Sequence, residues 1–165
     1  MKKSNKESVY EYLDKNNIRY NRLDTKTLSN MQDCKEMEKE LGALIFKNLF
    51  LQTRNKERSF LLLMSSNKKF KTAIVSKEIG VSRLSFGCDK DLYEYLGVKP
   101  GSITPVGLYF DNENKVEVLI DEELLNEEYL GMHPLENDSL FRISKNDMIK
   151  FFIEKTNHSI KVVHL

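Results

Sequence analysis

The chain has 165 residues, 40% of them hydrophobic and 31% charged, and its 26 basic and 25 acidic side chains leave a formal net charge of +1. This length can bury the core of one domain, and the balanced charge restricts any RNA contact to a local basic patch. Cys34 and Cys88 lack the CxxC spacing of a zinc or redox pair, so no metal and no cofactor are expected. No apolar run reaches the roughly 20 residues of a membrane span and no signal-peptide core is present, so we expect a cytoplasmic protein without membrane contact.

The first quarter of the chain predicts two helices around a short strand. Ser4 is placed to cap a helix over residues 6–15, because a glutamate follows it by three residues. Apolar residues between positions 18 and 23 predict a strand. Ser29 is then expected to cap a second helix that ends at Leu41.

The most apolar stretch, residues 43–51, contains Lys47 and Asn48 at its centre. In an extended strand these two side chains would point to opposite faces, and the neighbouring residues make both faces look buried. An ammonium group in such surroundings is normally paired, or it faces a cavity that admits water or an anionic ligand. Lys47 is therefore a candidate functional residue. The alternative is an edge-strand lysine whose stem packs on apolar surface while its amine reaches solvent.

The rest of the chain predicts short strands, helices and one rigid loop. Residues 59–64 form a hairpin with the preceding strand, and two prolines stiffen the loop from Gly97 to Pro105. Strands over residues 106–110 and 116–120 flank a polar turn and predict a second hairpin. The other predicted elements are helices within residues 67–80, 90–96 (capped by Asp89) and 144–156, a helical turn over 122–126, a strand from Tyr129 into a loop before Asp138, and strands over 83–86, 140–143 and 160–163. Together they predict one α+β domain with a mixed, mostly antiparallel sheet.

Three polar features interrupt the apolar pattern: Lys47 with Asn48, the loop from Gly101 to Pro105, and His133 with Asn137. The rigid loop can present main-chain hydrogen-bonding groups to a ligand, although Gly101 taken alone is typical of a turn. His133 precedes a proline, which favours an extended backbone, and taken alone it fits a structural or surface histidine better than a catalytic one. No Ser-His-Asp order, HExxH, P-loop or Rossmann motif is present.

Three segments resemble the YbaK/ProX family of trans-editing aminoacyl-tRNA deacylases, which are relatives of the editing domain inserted in bacterial prolyl-tRNA synthetase. They are Lys-Asn-Leu-Phe-Leu at 47–51, Leu-Tyr-Glu-Tyr-Leu-Gly-Val-Lys-Pro-Gly-Ser-Ile-Thr-Pro at 92–105, and Gly-Met-His-Pro-Leu-Glu-Asn at 131–137. They occur in the family's order and spacing, and the resemblance extends over nearly the whole chain.

The resemblance implies a single editing domain over residues 1–165, with a partly barrel-like mixed sheet flanked by helices around a small pocket. It implies hydrolysis of the ester that joins a wrong amino acid to the 3′-terminal adenosine of a tRNA. The first motif is more similar to the alanine-clearing branch, which acts on Ala-tRNA(Pro), than to the cysteine-clearing branch. A transient contact with prolyl-tRNA synthetase is a further expectation.

The resemblance also implies which residues form the site. Lys47 matches the family's characteristic lysine and Gly101 matches the glycine of a loop that borders the scissile ester, so both are predicted to be catalytic. Substrate-binding positions are predicted at Asn48, Ser102, Ile103, Thr104, Pro105, His133 and Asn137.

Two other functions are open at this point. A non-catalytic module of the same fold would bind an aminoacyl-tRNA end, an amino acid or a synthetase without turnover, whereas another small-ester hydrolase would not depend on tRNA.

For RNA contact, basic side chains are expected to gather on one predicted helix and on a neighbouring turn, with a solvated helix face as the alternative. These residues are Lys68, Lys69, Lys71 and Lys77 on the helix, and Arg54, Lys56 and Arg58 on the turn.

Overall fold

Nine strands form two sheets within residues 1–25 and 31–165, the part of the chain that this computed structural model describes. The helices are α1 (Lys6–Lys15), α2 (Met31–Leu41), α3 (Thr72–Ile79), α4 (Asp89–Leu96) and α5 (Lys145–Met148), which continues as a π-helix over Ile149–Glu154. The strands are β1 (Asn21–Asp24), β2 (Leu44–Ile45), β3 (Lys47–Thr53), β4 (Ser59–Met64), β5 (Leu84–Phe86), β6 (Val116–Asp121), β7 (Tyr129–Met132), β8 (Ser139–Ser144) and β9 (Ile160–Val163). Two 3₁₀ helices cover Pro105–Phe110 and Glu122–Asn126.

The two sheets mix parallel and antiparallel pairs. The four-stranded sheet has the order β1-β8-β7-β2, and the five-stranded sheet has the order β5-β3-β4-β6-β9. The pairs β2–β7, β4–β6 and β6–β9 are parallel, and the other four pairs among the described residues are antiparallel. The predicted α+β fold with a mixed, mostly antiparallel sheet arrangement is confirmed.

Both faces of the five-stranded sheet are buried, because alternate side chains of its central strands serve two cores. Leu61 and Leu63 of β4 point into the main core, which also contains Phe141 of the other sheet and Phe152 of the C-terminal helix. The alternate residues, such as Leu62, belong to a second core beneath α3. Strand β3 therefore runs between two apolar layers.

The apolar run at 43–51 is divided at Phe46, contrary to the single strand that its composition predicted. Leu44 and Ile45 pair with β7 in the four-stranded sheet, and from Lys47 onward the chain pairs with β4 in the five-stranded sheet. Phe46 is buried in the main core and connects the two. One short segment thus joins both sheets, and Lys47 and Asn48 lie directly after the crossing.

The second predicted hairpin is wrong, because residues 105–110 form a 3₁₀ helix instead of a strand. The Thr104 side chain accepts a hydrogen bond from the Val106 amide, and Pro105 has the fixed φ that suits the first helical position. Gly107 permits close packing, since a β-carbon there would lie 2.4 Å from the Leu96 carbonyl oxygen. The rigid loop therefore enters a buried helical turn.

Predicted helix starts differ from the structure at three places. The Asn5 side chain, not Ser4, caps α1 by accepting a hydrogen bond from the Ser8 amide. Cys88 rather than Asp89 is the N-cap of α4, and α3 begins only at Thr72. The predicted cap at Ser29 lies outside the described residues.

The segment after the C-terminal helix is fixed to the start of β6 by a buried hydrogen bond between His158 and Asp111. His158 Nε2 donates to Asp111 Oδ2 at 2.9 Å, and Asp111 also accepts the Lys115 and Val116 amides. Burial would raise the pKa of Asp111, but these hydrogen bonds outweigh burial and lower the pKa below its ordinary value.

Across the residues described, no helix combines the length and apolar character needed to cross a membrane.

Candidate active site

Lys47 and His133 lie at the same end of the parallel pair β2–β7. The register pairs Ile45 with Gly131. Lys47 follows Ile45 by two positions, and His133 follows Gly131 by two positions. Because parallel strands end at the same edge, both backbones leave the sheet side by side there. The carboxyl ends of parallel strands are common ligand sites, since the connecting segments diverge and leave a crevice.

The Lys47 side chain is half-buried and its amine is held by the main chain. Lys47 Nζ donates to the Lys68 carbonyl oxygen at 2.5 Å. This is its one hydrogen bond among the described residues, so the ammonium retains two further donors for a ligand. The predicted buried surroundings are present, because Lys47 shares a face of β3 with Leu49 and Leu51, which pack in the second core.

The segment that holds Lys47 is itself anchored by a buried carboxylate. Asp121, fully buried at the end of β6, accepts hydrogen bonds from the Ser65 amide at 3.2 Å and from Lys68 Nζ at 3.1 Å. The Lys68 amine also lies 3.1 Å from a carboxylate oxygen of Glu123. Asp121 therefore fixes residues 65–68, whose carbonyl in turn holds Lys47. Sequence reasoning missed this aspartate because its role depends on a pairing between β4 and β6 that local sequence does not show.

Asn48 has a buried oxygen without a hydrogen-bond donor. Its amide nitrogen donates to the Phe46 carbonyl at 3.3 Å, but Oδ1 is buried and has no partner among the described residues. An unsatisfied buried acceptor destabilises a protein by about 1–3 kcal/mol. Such a group is expected where a ligand supplies the missing donor. By strand alternation Asn48 faces the main core, opposite to Lys47.

His133 is held in one tautomer by the main chain. Its Nδ1 lies 2.9 Å from the Ser139 carbonyl oxygen, which can only accept, so Nδ1 carries the proton. Burial lowers the pKa of His133 below its ordinary value, although the hydrogen bond to Ser139 opposes this shift. The ring is thus neutral at pH 7, and Nε2 is the nitrogen with a free lone pair.

A polar network behind His133 connects the segment to α1 and β1. Ser139 Oγ donates to Asp24 Oδ1 at 2.7 Å and lies 2.6 Å from the Tyr10 hydroxyl. Burial raises the pKa of Tyr10 to about 12, so its hydroxyl stays protonated at neutral pH. The Arg22 guanidinium, followed by the Ser139 hydroxyl, lowers the pKa of Asp24. None of the four residues of this network was singled out from the sequence as a site residue.

Gly101 and Asn137 are brought together from two separate loops. A β-carbon placed on Gly101 would lie 3.6 Å from Asn137 Nδ2. Gly101 has φ of +89°, a conformation that other residues rarely adopt, and it is exposed. Its peptide groups are therefore accessible beside the Asn137 amide.

The rest of the 101–105 loop is turned into the protein. Ser102, Thr104 and Pro105 are buried, and Ile103 is partly buried against the main core. The Ser102 amide donates to the Lys99 carbonyl at 3.1 Å. These residues support the exposed turn at Gly101 in the structure, and their predicted substrate contacts remain predictions.

The segment from His133 to Asn137 is held in a strained shape. Leu135 is buried with φ of +68°, which is uncommon for a branched side chain. Two contacts from Lys6 fix the segment, since its amide donates to Glu136 and its amine pairs with Asp138 at 2.9 Å. Strain of this kind persists only where surrounding contacts enforce it, as at ligand sites.

The predicted basic cluster is only partly available to a ligand. Lys68 is engaged by Asp121 and Glu123, and Arg58 forms a 2.8 Å ion pair with Glu117. Lys69 and Lys71 precede α3 and, within the described part of the chain, form no ion pair. No group of three His, Cys, Asp or Glu side chains within residues 1–25 and 31–165 could hold a metal ion.

The chain matches one protein family over most of its length. The model of the aminoacyl-tRNA editing domain family matches residues 25–151, and the chain belongs to that family. The resemblance noted in the sequence is confirmed, and with it the class of enzyme, an aminoacyl-tRNA deacylase.

Particular relatives and structures are similar over most of the chain. The prolyl-tRNA editing protein ProX of Acetoanaerobium sticklandii is 25% identical over 160 residues, covering 97% of each chain. The prolyl-tRNA synthetase associated domain-containing protein 1 of Danio rerio is 26% identical, covering 93% of this chain and 84% of the relative. A crystal structure reported as a candidate trans-editing enzyme for prolyl-tRNA synthetase superposes with a TM-score of 0.70 at 18% identity, covering 97% of this chain and 96% of the other, and supports the fold.

Proposed function

We propose that this protein hydrolyses mischarged tRNA(Pro) in trans, with Ala-tRNA(Pro) as its main substrate. We also propose that residues 1–165 act as one editing domain in the cytoplasm. The observation that carries the proposal is the Lys47 amine, which the Lys68 carbonyl holds at the point where the two sheets separate. A cation that retains free donors suits an aminoacyl ester, which lies next to the oxygen-rich 3′ end of RNA.

Lys47 supplies positive charge where negative charge develops. The water oxygen attacks the ester carbonyl, the carbonyl oxygen becomes an oxyanion, and the bond to the ribose oxygen then breaks. The water proton passes to that ribose oxygen, with the neighbouring 2′-hydroxyl available as a relay. An aminoacyl ester is already activated, so positioning and electrostatic stabilisation can suffice without a covalent nucleophile. The Lys47 ammonium, held by the Lys68 carbonyl, stabilises the oxyanion and nearby RNA oxygens.

Main-chain groups at Gly101 orient the attacking water. The turn is exposed, has the positive φ of a glycine conformation and lies beside the Asn137 amide. Polar groups held on a stiff loop require little reorganisation during the reaction. Asn137 is assigned a supporting contact to the water or to the terminal ribose.

Asn48 and His133 bind the amino-acid portion and the water. Asn48, on the opposite face of β3 from Lys47, is assigned a contact to the substrate through Oδ1, which has no donor among the described residues. His133 is neutral because burial lowers its pKa, so Nε2 can accept a hydrogen bond from the attacking water. The Ser139 carbonyl fixes the ring orientation for this contact.

Substrate selection is proposed to depend on size. Proline is excluded by bulk, whereas apolar contacts distinguish alanine from glycine or serine by only about 1–3 kcal/mol, so overlapping substrates are expected. Prolyl-tRNA synthetase is proposed as a transient partner, since it produces the charged tRNA(Pro) on which the editing domain would act. The cysteine-clearing reaction and a non-catalytic binding role are the outcomes that would replace this proposal.

One assay tests the function. Release of amino acid is measured from Ala-, Cys- and Ser-tRNA(Pro), with a small alanine ester as the control. Fastest release from Ala-tRNA(Pro) supports the proposal, and fastest release from Cys-tRNA(Pro) replaces alanine by cysteine. Turnover of the small ester at the same efficiency indicates a general esterase, and binding without release indicates a regulator.

A further inference from the structure

We propose that an aromatic surface beside Lys47 holds the unpaired nucleotides at the 3′ end of the tRNA, with Phe86 stacking against a base. The aromatic surface consists of Phe70, Ile74 and Phe86 with Lys69 and Lys71. This inference rests on the proposed function, because it assumes that Lys47 receives the terminal aminoacyl ester. It adds a second binding region, outside the candidate active site.

The apolar part of this surface is unusually open. The Phe86 side chain is 67% exposed and Ile74 is 46% exposed, although both belong to residue types that are mostly buried. The Phe86 ring contacts Phe70, with the ring centroids 5.6 Å apart. A pair of aromatic rings with one face in solvent can receive another planar ring.

Strand register places the aromatic surface on the same side of the sheet as Lys47. Phe86 pairs with Leu51 of β3, and paired side chains point to the same face. Lys47 precedes Leu51 by four positions, an even number, so it also lies on that face. At about 3.3 Å per residue the two positions are about 13 Å apart along the strand. A few nucleotides of an unpaired strand can cover this separation.

The surrounding charge is complementary to RNA. Lys69 and Lys71, with Met64 and Val75, line a cavity of about 330 Å³ next to Ile74. Neither lysine forms an ion pair within the described residues, in contrast to Lys68, whose amine is taken by Asp121 and Glu123. Cations without acidic partners beside exposed aromatic rings are available for phosphate groups.

An unpaired RNA strand fits this combination better than a duplex. Single-stranded nucleic acid is bound by aromatic rings that stack on bases and by a positively charged path that follows the phosphates. Bases within a duplex are already stacked and cannot lie on a protein ring. The unpaired 3′ end of a tRNA presents free bases next to the aminoacyl ester, so an occupied Lys47 site brings them to this face.

Fluorescence provides a direct test, because the chain contains no tryptophan. Phe86→Trp places a single reporter in the surface, and Tyr93→Trp places one at another exposed aromatic position, on α4 beside Lys3. Titration with a short RNA that ends in CCA should quench the Phe86→Trp emission strongly and leave the Tyr93→Trp emission unchanged. Equal responses, or no quenching of Phe86→Trp by RNA that binds the protein, would overturn the inference.

Kinetics separates this inference from the proposed function. Phe86→Ala should lower kcat/KM for Ala-tRNA(Pro) about tenfold, and Phe86→Tyr should retain it, because a stacked base is lost in only the first variant. Tyr93→Ala is the control and should match the parent protein. Hydrolysis of alanyl-adenosine, which lacks the preceding nucleotides, should be equal for Phe86→Ala and the parent. If the parent releases alanine and Phe86→Ala is equally efficient on Ala-tRNA(Pro), the aromatic surface is excluded as a binding region while the proposed function stands. If the parent releases no amino acid from any charged tRNA, the proposed function itself fails.

Salt dependence tests the two lysines. A double Lys69→Ala, Lys71→Ala variant should bind the CCA-ending RNA less tightly and with a less steep decline as salt increases, by about 0.7 in the log–log slope for each lost phosphate contact. An unchanged slope would remove both lysines from the surface.

Discussion

The amine of Lys47 and the carboxylate of Asp121 are connected through one residue, Lys68. Lys47 Nζ donates to the Lys68 main-chain oxygen at 2.5 Å, and the Lys68 amine lies 3.1 Å from Asp121 Oδ1. A candidate catalytic cation is thus positioned by a fully buried acid on another strand. This relationship gives the protein a positioning residue for Lys47 that lies outside all three family motifs.

Removing the Lys47 charge should reduce catalysis and leave the fold intact. Lys47→Ala is expected to slow deacylation of Ala-tRNA(Pro) about 10²- to 10³-fold, since one electrostatic contact to the transition state is lost. Single-turnover release of alanine measures this loss, and urea unfolding measures stability. Deacylation at the parental rate would remove Lys47 from the mechanism.

Asp121→Asn should weaken both stability and catalysis. The buried ion pair with Lys68 is lost, and the free energy of unfolding should fall by about 1–3 kcal/mol because the Lys68 amine stays partly solvated. The rate constant kcat should fall more than KM changes, since Lys47 is displaced. Glu123→Gln is the matched control, because Glu123 contacts the same amine but is exposed. The free energy of unfolding of this variant should stay within about 0.5 kcal/mol of the parent value. Equal effects of the two substitutions would contradict the positioning role of Asp121.

Asn48→Leu should separate stability from function. The substitution removes a buried oxygen that has no donor within the described part of the chain and keeps the side-chain size, so the free energy of unfolding should stay constant or rise by about 1 kcal/mol. Deacylation should nevertheless decrease, because the proposed contact of Oδ1 to the substrate is lost. Thermal unfolding and alanine release are measured on the same preparation. Marked destabilisation would show that Asn48 Oδ1 is satisfied in the folded protein.

The pH dependence of deacylation should report His133. Burial lowers its folded-state pKa below 6.5, so Nε2 keeps its lone pair above that pH and is protonated as the pH falls further. The acidic limb of kcat/KM should therefore have its midpoint below pH 6.5. His133→Asn can still donate to the Ser139 carbonyl but lacks Nε2, so it should lose this limb together with much of the rate. Persistence of the limb in His133→Asn would assign it to another group.

Asp111 should make folding sensitive to acid. The folded-state pKa of Asp111 lies below its unfolded value of about 3.9. Its contribution to the free energy of unfolding is therefore present above the unfolded pKa and disappears as the pH falls through the lower folded pKa. The difference in unfolding free energy between the parent and Asp111→Asn should be large at pH 6 and should shrink below pH 4. Urea titrations at several pH values measure this difference. A difference independent of pH would show that Asp111 contributes no charge-dependent stability.

Sequence periodicity predicted most of the elements but not how they cross. The hairpin of β3 and β4 and the final strand at 160–163 follow from local apolar alternation. The division at Phe46 could not be predicted, because both halves of the run are equally apolar and only long-range pairing assigns them to different sheets. The 3₁₀ helix after Thr104 was missed since its apolar residues resemble a strand, although the Thr104 cap and Pro105 at the first helical position favour its form.

Candidate site residues could be named from the sequence, but their geometry could not. Lys47, Gly101 and His133 were named from their motifs, and they occupy loops and strand ends whose proximity depends on the register of distant segments. Asp121 and Ser139 carry no motif, because their role is to hold other groups. Their importance becomes visible only when hydrogen-bond partners are known.

The passage of one strand from sheet to sheet at Phe46 also limits how this protein can change over evolution. Inserting or deleting a single residue between Ile45 and Lys47 would exchange the directions of the lysine and the asparagine, so that the cation would point into the main core and the amide away from it. The turn at 54–58 carries no such requirement and can vary in length. Homologous chains should therefore differ freely in that turn while keeping the spacing from Ile45 to Asn48 fixed.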